Sequence, residues 1–358
     1  MGCAKLYVHS LSLWRQPREY SCEKWRGSLR EAGDTMTQLR HVKPAGEAIF
    51  KDRYTTKVQE LLVPWKAGLT AEFAIAGAPF SKSSISHSGA SFAPSAIRSA
   101  LQSYTTFSGD TGIDLAESIM DFGDVNMDPT DVVGNLQRLY EGFSDIYATD
   151  AAENWMILGG DHGISHASIK GFSEKHTSIG VIQFDAHHDL RNVEDGGPTN
   201  GTPFRRLIEE DILQGENLVQ VGIRDFTNAK EYHDYAAEKG VVVYTMQDLM
   251  RESVVKIMEE ELKRLAERVD VIYLSVDMDV LDQAYAPGCP AIGPGGMTSR
   301  ELLGAVFMAA QHPQVTAMDI VEIDPTIDIR NMTSRVAANV MLQFMMGKQT
   351  SSAVRRDR

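Results

Sequence analysis

A chain of 358 residues, 43% apolar and 23% charged, can bury a substantial core, and one large domain suits it better than two small ones. A net charge of −14 argues against nucleic acid or an anionic membrane as the main partner. Three scattered cysteines, Cys3, Cys22 and Cys289, form neither a disulfide framework nor a zinc pattern, which fits a reducing cytoplasm, and no run approaches the roughly 18 apolar residues of a membrane-spanning helix.

In chain order, residues 1–36 read as an N-terminal extension without the apolar core of a signal peptide. Met1-Gly2-Cys3 has the look of a myristoylation start, but Leu6 stands where Ser or Thr is required, and Met36 is an alternative start. A single catalytic domain is expected over residues 37–348. Phe73–Gly77 reads as the first central strand, followed by a Gly/Ser-rich loop, Phe80–Phe92, and a helix opening at Pro94 and running through Ile97, Leu101 and Tyr104. Apolar runs predict further strands at Trp155–Leu158, Ile179–Phe184, Leu218–Ile223, Val241–Tyr244, Val271–Val276 and Val315–Val321. Runs of this kind, alternating with helical patterns, predict an α/β fold with a doubly wound parallel sheet covered on both faces. After Thr245, with Asp248 completing a variant capping box, Val254, Met258, Leu262 and Leu265 predict one helix with one buried stripe. The segment Arg191–Thr202, with three glycines and one proline, is too long for a plain connection and is expected to build a site. Residues 349–358 read as a disordered tail.

Three short pieces carry the chemistry: Gly159-Gly160-Asp161-His162, Asp185-Ala186-His187-His188-Asp189 and Asp277-Met278-Asp279. Each follows an apolar run, so each falls at the carboxyl end of a strand, where open α/β sheets bind ligands. If the chain stays extended there, period-two alternation turns Asp185, His187 and Asp189 one way and His188 the other, and pairs Asp277 with Asp279. A single Asp-x-Asp is usually a turn and a lone His is usually a core or surface residue; three such pieces at three strand ends favour a metal site. Four carboxylates and two imidazoles exceed the needs of one small cation, and carboxylates this crowded cannot all ionise without positive charge between them. Two divalent cations sharing bridging carboxylates resolve the conflict, hold a water between them and lower its pKa. Oxygen donors with some imidazole and no thiolate suit Mn²⁺. His166, one helical turn past His162, is expected outside the ligand shell.

With Ser275-Val-Asp-Met-Asp-Val-Leu-Asp282 and Ala286-Pro287-Gly288, these pieces resemble the ureohydrolase family of arginases, agmatinases and formimidoylglutamases, whose pattern is Gly-Gly-Asp-His, Asp-Ala-His-x-Asp and Ser-x-Asp-x-Asp-x-x-Asp. The agreement extends from about Gly77 to about Met346. The resemblance implies a three-layer α/β/α fold around a parallel sheet, two Mn²⁺ per subunit, and a homo-oligomer, trimer or hexamer. It places His162 and Asp189 on one ion, His187 and Asp279 on the other, and Asp185 and Asp277 as bridges. It further gives Glu322, in Val321-Glu322-Ile323-Asp324-Pro325, to the cationic C–N group of the substrate, and proton delivery to Asp189. The bland reading of Glu322, a charged loop end, is less favoured because it directly follows an apolar strand.

Two departures from arginase bear on the substrate. Asn200 stands where arginases and many agmatinases carry a loop histidine, so a titrating shuttle is missing there. Arg191 stands where arginases carry Asn, and a guanidinium there makes a fork for a carboxylate. Arg205, Arg206 and Arg224 are further candidates; for Arg205 and Arg206 taken singly a surface ion pair is the stronger reading. The run Gly222–Lys230, with Tyr232, Tyr235 and Ala236, is similar to bacterial formimidoylglutamases. The resemblance therefore implies hydrolysis of N-formimidoyl-L-glutamate to L-glutamate and formamide, a late step of histidine degradation. An agmatinase or guanidino-acid hydrolase releasing urea is the alternative. A non-catalytic member of the fold is disfavoured because all six ligands are present, and a nucleotide-binding domain because no G-x-G-x-x-G or P-loop is found.

Overall fold

The computed structural model describes residues 52–356; the expected extension over 1–36 and the start of the catalytic domain lie outside them. The strands are β1 (Leu62–Pro64), β2 (Ala71–Gly77), β3 (Ile119–Asp124), β4 (Ala152–Leu158), β5 (Ile179–Phe184), β6 (Leu218–Ile223), β7 (Val242–Thr245), β8 (Val271–Asp277) and β9 (Val315–Val321). The helices are α1 (Ala93–Ala100), α2 (Val132–Ala148), α3 (Ile164–Ser173), α4 (Pro203–Glu209), α5 (Lys230–Glu238), α6 (Met246–Arg251), α7 (Val254–Ala266), α8 (Ser299–Gln311) and α9 (Met332–Arg356). The strands form one sheet in the order β1-β3-β2-β4-β9-β8-β5-β6-β7. Every pairing in it is parallel.

Successive side chains leave opposite faces of each strand, and the two faces build two cores. Phe73 and Ile75 of β2, Ile182 and Phe184 of β5, and Ile272, Leu274 and Val276 of β8 join Ile97, Met258, Leu302 and Phe344 from α1, α7, α8 and α9. Ala74 and Ala76, Val181, and Val271 and Tyr273 join Leu139, Ile164, Phe204 and Ala236 from α2, α3, α4 and α5. The result is a three-layer α/β/α domain, as the apolar runs predict. Among the described residues no helix is long and apolar enough to cross a membrane.

Three features differ from the reading of the sequence. The helix expected after Thr245 is two helices: Thr245 and Asp248 form a full capping box on α6, Glu252 is extended, and Ser253 caps α7 anew. The helix at Pro94 ends at Ala100 and passes into a 3₁₀ turn, Leu101–Ser103. α9 continues to Arg356, so residues 349–356 extend a helix where a disordered tail is expected; a helix already docked along α8 need only propagate, which is cheaper than nucleating.

Candidate metal centre

β4, β9, β8 and β5 are adjacent in the sheet, which brings four distant chain segments to one rim. Gly159 and Gly160 let the backbone after β4 pass between neighbours. A Cβ on Gly160 would lie 1.7 Å from the Phe80 carbonyl oxygen, and one on Gly159 would lie 2.8 Å from that of Ile320. Asp161 N donates to Phe80 O at 2.8 Å and Glu322 N donates to Gly160 O at 2.9 Å, so the close approach is held by backbone bonds.

The ligand residues converge, but not by strand alternation. β5 ends at Phe184 and Asp185–Asp189 is a bent loop, with Asp189 at φ 51°. Asp277 closes β8 and Met278–Val280 is a 3₁₀ turn that Asp277 caps by accepting Asp279 N at 2.8 Å. Local turns therefore replace the extended geometry on which the period-two expectation rests. The six residues come together all the same, although the compact donor sets share Asp185 and not Asp277. His162 Nδ1 lies 3.0 Å from Asp185 Oδ2, 2.8 Å from Asp189 Oδ2 and 3.1 Å from Asp277 Oδ2. His187 Nδ1 lies 3.1 Å from Asp279 Oδ2 and 3.5 Å from Asp185 Oδ1. Two compact donor sets result, His162–Asp185–Asp277 and Asp185–His187–Asp279, each with its atoms within 4.8 Å of one another. Asp185 belongs to both. Asp189 completes the surroundings of His162 and also faces the cavity.

The donor chemistry fits cations. His162 Nε2 meets Ser275 Oγ at 2.9 Å, and Ser275 Oγ gives its single proton to Asp319 Oδ1 at 2.8 Å. The imidazole must therefore donate from Nε2, which leaves Nδ1 to face three carboxylates. Burial works against a charge there, but Asp185, Asp189 and Asp277 outweigh it and raise the ring well above the ordinary histidine range, and a cation would take the place of that proton. Despite distances near 3 Å, that buried Nδ1 makes no geometrically valid hydrogen bond, which is the arrangement of ligand atoms around a cation. Burial, and then the charges of Asp279 and Asp185, push Asp277 well above the usual carboxylate range. Burial and then Asp185 push Asp189 to about 6. For His187 burial works downward, but Asp279 and Asp185 outweigh it and raise the ring to about 12. Each direction expresses a shortage of positive charge that divalent cations would supply.

Behind the ligands runs a polar row that the sequence reading does not anticipate. Gln220, Gln183, Ser275 and Asp319 are register neighbours across β6, β5, β8 and β9, and all four are fully buried. Gln183 Nε2 donates to Asp185 Oδ2 at 2.6 Å; Gln220 Nε2 donates to Gln183 Oε1 at 2.7 Å. His188 turns away from the ligands, as expected, and its Nδ1 meets Gln220 Oε1 at 2.6 Å. His166 lies outside the ligand set, paired with Glu210 at 2.9 Å. The available signal is a lone polar residue two positions before each strand-end aspartate, at Gln183 and Ser275.

A cavity of ≈ 250 Å³ opens onto the ligands, lined also by Arg191, Asn200, Tyr232 and Glu322. Glu322 is 3% exposed and sits at φ 60°, a backbone region that non-glycine residues adopt at a cost. Its Oε1 accepts His162 N at 2.8 Å and Asn200 Nδ2 at 3.0 Å. Burial, and then the charge of Asp161, push its carboxyl up to about 8. Asp161 is not among the clustered donors; it accepts Ser83 Oγ at 2.7 Å and Gly163 N at 3.1 Å, tying the Gly/Ser-rich loop to the β4 turn. Arg191 is exposed at the cavity, with its guanidinium carbon 5.5 Å from the centre of the Tyr232 ring. Arg224, expected at the substrate, does not line the cavity: it is buried, and Nη2 donates to the carbonyls of Asp279 and of Leu281, the latter at 3.3 Å. It clamps the turn that presents Asp279. Arg205 pairs with Glu209 at 2.7 Å and Arg206 with Glu210 at 3.6 Å, both away from the cavity. Thr227, Asn228 and Ala229 complete the wall from the segment after β6.

Comparison with known proteins agrees with this geometry. The model of the Arginase family matches residues 71–347. The chain is 53% identical to a formimidoylglutamase of Halalkalibacterium halodurans over 84% of its own length and 95% of that protein. The crystal structure of formimidoylglutamase from Bacillus subtilis superposes with a TM-score of 0.84 at 45% identity, covering 87% of this chain and 97% of that one. A human mitochondrial guanidino acid hydrolase is more distant, at 31% identity over 89% of each chain.

Proposed function

The chain belongs to the arginase family, and from that premise we propose that it hydrolyses N-formimidoyl-L-glutamate to L-glutamate and formamide, using two Mn²⁺ per subunit held by His162, Asp185, His187, Asp189, Asp277 and Asp279. The observation that carries the reading is one cavity lined by the ligand residues together with groups of both signs: a buried carboxylate, Glu322, and an exposed guanidinium, Arg191. An amidine with two carboxylates matches both charges. Agmatine, with a terminal ammonium, matches only one. A guanidino acid satisfies Arg191 as well, but the 53% identity to a formimidoylglutamase against 31% to a guanidino acid hydrolase favours the amidine.

Held by those six residues, two divalent cations would supply a nucleophilic water made acidic enough to react near neutral pH. Glu322, which lines the cavity beside the ligand residues, is assigned to the cationic C–N group of the substrate. Asp189 lines the cavity as well as flanking His162, and the proton for the leaving amine is assigned to it. Arg191, steadied over Tyr232, pairs with a substrate carboxylate. The low cysteine content supports a cytoplasmic setting, and the family resemblance a homo-oligomer, trimeric or hexameric.

The test is a product assay with metal analysis on one sample. Manganese-loaded protein should release formamide and glutamate from N-formimidoyl-L-glutamate; urea from arginine, agmatine or a guanidino acid without formamide would overturn the reading. Arg191→Ala should raise KM about tenfold or more, the loss of one charge-assisted pair, with manganese content unchanged. Loss of manganese instead would make Arg191 a support of the ligand loop.

A further inference from the structure

The two carboxylate oxygens of Glu322 are in different states. Oε1 accepts His162 N at 2.8 Å and Asn200 Nδ2 at 3.0 Å, which uses both of its lone pairs. Oε2 is buried and has no hydrogen-bond partner in the chain. Asn200 is itself fixed in orientation, because its Oδ1 accepts Ile85 N at 3.0 Å and a backbone N–H can only donate. Its amide NH₂ must therefore face Glu322. A third bond, Asn200 N to Ser83 O at 3.0 Å, anchors the residue to the same loop.

Resting on the reading of the site as an amidine hydrolase, we propose that Asn200 makes Glu322 a one-oxygen receptor, and that this selects a formimidoyl group over a guanidino group. Both groups are planar cations with a scissile C–N bond. The formimidoyl cation carries a C–H where guanidinium carries a second NH₂. The formimidoyl cation carries three N–H donors and guanidinium five, so guanidinium asks more acceptor sites of the pocket, and a carboxylate best meets it with both oxygens open. Here one oxygen is saturated, and the neighbouring wall of the cavity is the Asn200 amide, whose NH₂ is a donor. A guanidino group would bury a donor without an acceptor, whereas the C–H of a formimidoyl group requires none. Asn200 acts through the Glu322 oxygen and is a positioning residue. A histidine at this place would titrate and alternate between donor and acceptor; an amide held by Ile85 N does neither.

The experiment compares two substrates that differ only in this group, N-formimidoyl-L-glutamate (formamide release) and N-amidino-L-glutamate (urea release), on manganese-loaded wild type and Asn200→Ala. The wild type should favour the formimidoyl compound. Asn200→Ala should shift the ratio of the two kcat/KM values toward the guanidino compound by about tenfold or more, the worth of one hydrogen bond to a charged group. An unchanged ratio overturns the inference, including the case where both activities fall together, which would make Asn200 only a support of the loop at Ser83–Ser86. A test independent of any variant uses N-amidino-L-glutamate as a competitor in the wild type. Its inhibition constant should exceed the KM for N-formimidoyl-L-glutamate by about tenfold, and equal values overturn the inference. Wild type that releases urea but no formamide sinks the amidine reading itself, and that result appears before any substitution is made.

Discussion

Gln183 is a neutral amide where the apolar pattern of β5 calls for another Val or Ile. Its two ends have fixed senses: Nε2 donates to Asp185 Oδ2 and to His187 O at 3.3 Å, while Oε1 accepts from Gln220. The donor therefore points at the one carboxylate that both donor sets share. A hydrogen bond from a neutral group orients a metal-binding carboxylate without cancelling its charge, as outer partners of ligands generally do. Gln183→Leu, close in volume, removes the amide donor to Asp185 Oδ2 and the acceptor of one Gln220 N–H, while Gln220 Nε2 keeps its bond to His188 O at 2.7 Å. Manganese retention against graded chelator should fall about 10- to 100-fold, read by metal analysis after dialysis. Retention equal to wild type would show that Asp185 needs no such support. The ligands themselves are legible from sequence because each sits in a short motif after an apolar run. The polar row behind them is not, since Gln183, Gln220, Ser275 and Asp319 become neighbours only once the strand order is known. Arg224 is misread for a related reason: an arginine near a site can serve the backbone of that site, and spacing does not distinguish the two uses.

At the scale of elements, legibility follows burial. β5, β6 and β9 have the bounds their apolar runs predict, because strands buried on both faces have no polar alternation to blur them. β1 and β3 escape notice: β1 spans three residues with none buried, and β3 changes from Ile119-Met120 to Asp-Phe-Gly-Asp within one strand. The break between α6 and α7 is missed because Val254, Met258, Leu262 and Leu265 keep helical spacing regardless of what precedes them. The sequence does contain the signal, in Ser253 followed by Lys256, whose N–H the Ser253 hydroxyl accepts. Ser253→Ala discriminates the two arrangements. At an N-cap the change should cost about 1 kcal/mol in denaturant unfolding; inside one continuous helix it would be neutral or slightly stabilising, since Ala is the better helix former. A neutral result would contradict the two-helix description.

Across the whole molecule, the centre concentrates acids in a buried place, and this ties stability to metal and pH together. In the metal-free chain burial raises Asp161 to about 7; burial with the Asp185 charge raises Asp189 to about 6; burial with the Asp161 charge raises Glu322 to about 8. Unfolded, the same groups ionise near pH 4. Between those limits the folded metal-free protein holds protons that the unfolded chain has released, so its stability falls as pH rises. His187 adds the same sign above its unfolded pKa, because Asp279 and Asp185, against the downward pull of burial, hold its proton to about 12. Glu210, lowered to about 2 chiefly by its bond from His166 against the pull of burial, has the opposite sign, and so has Asp185, on which burial pulls upward but His162 and His187 pull further down. Their contribution is lost only as pH falls below the ordinary carboxylate range. His166 and His188, lowered by burial, have the opposite sign below about pH 6.5. Bound cations supply the missing positive charge without protons and favour the ionised acids, so they bind more tightly as pH rises. The Tm of chelator-stripped protein should therefore fall between about pH 6.5 and 8, while that of manganese-loaded protein stays level or rises, and the gap widens with pH. Parallel curves for the two forms would mean that the clustered carboxylates are not where the cations bind.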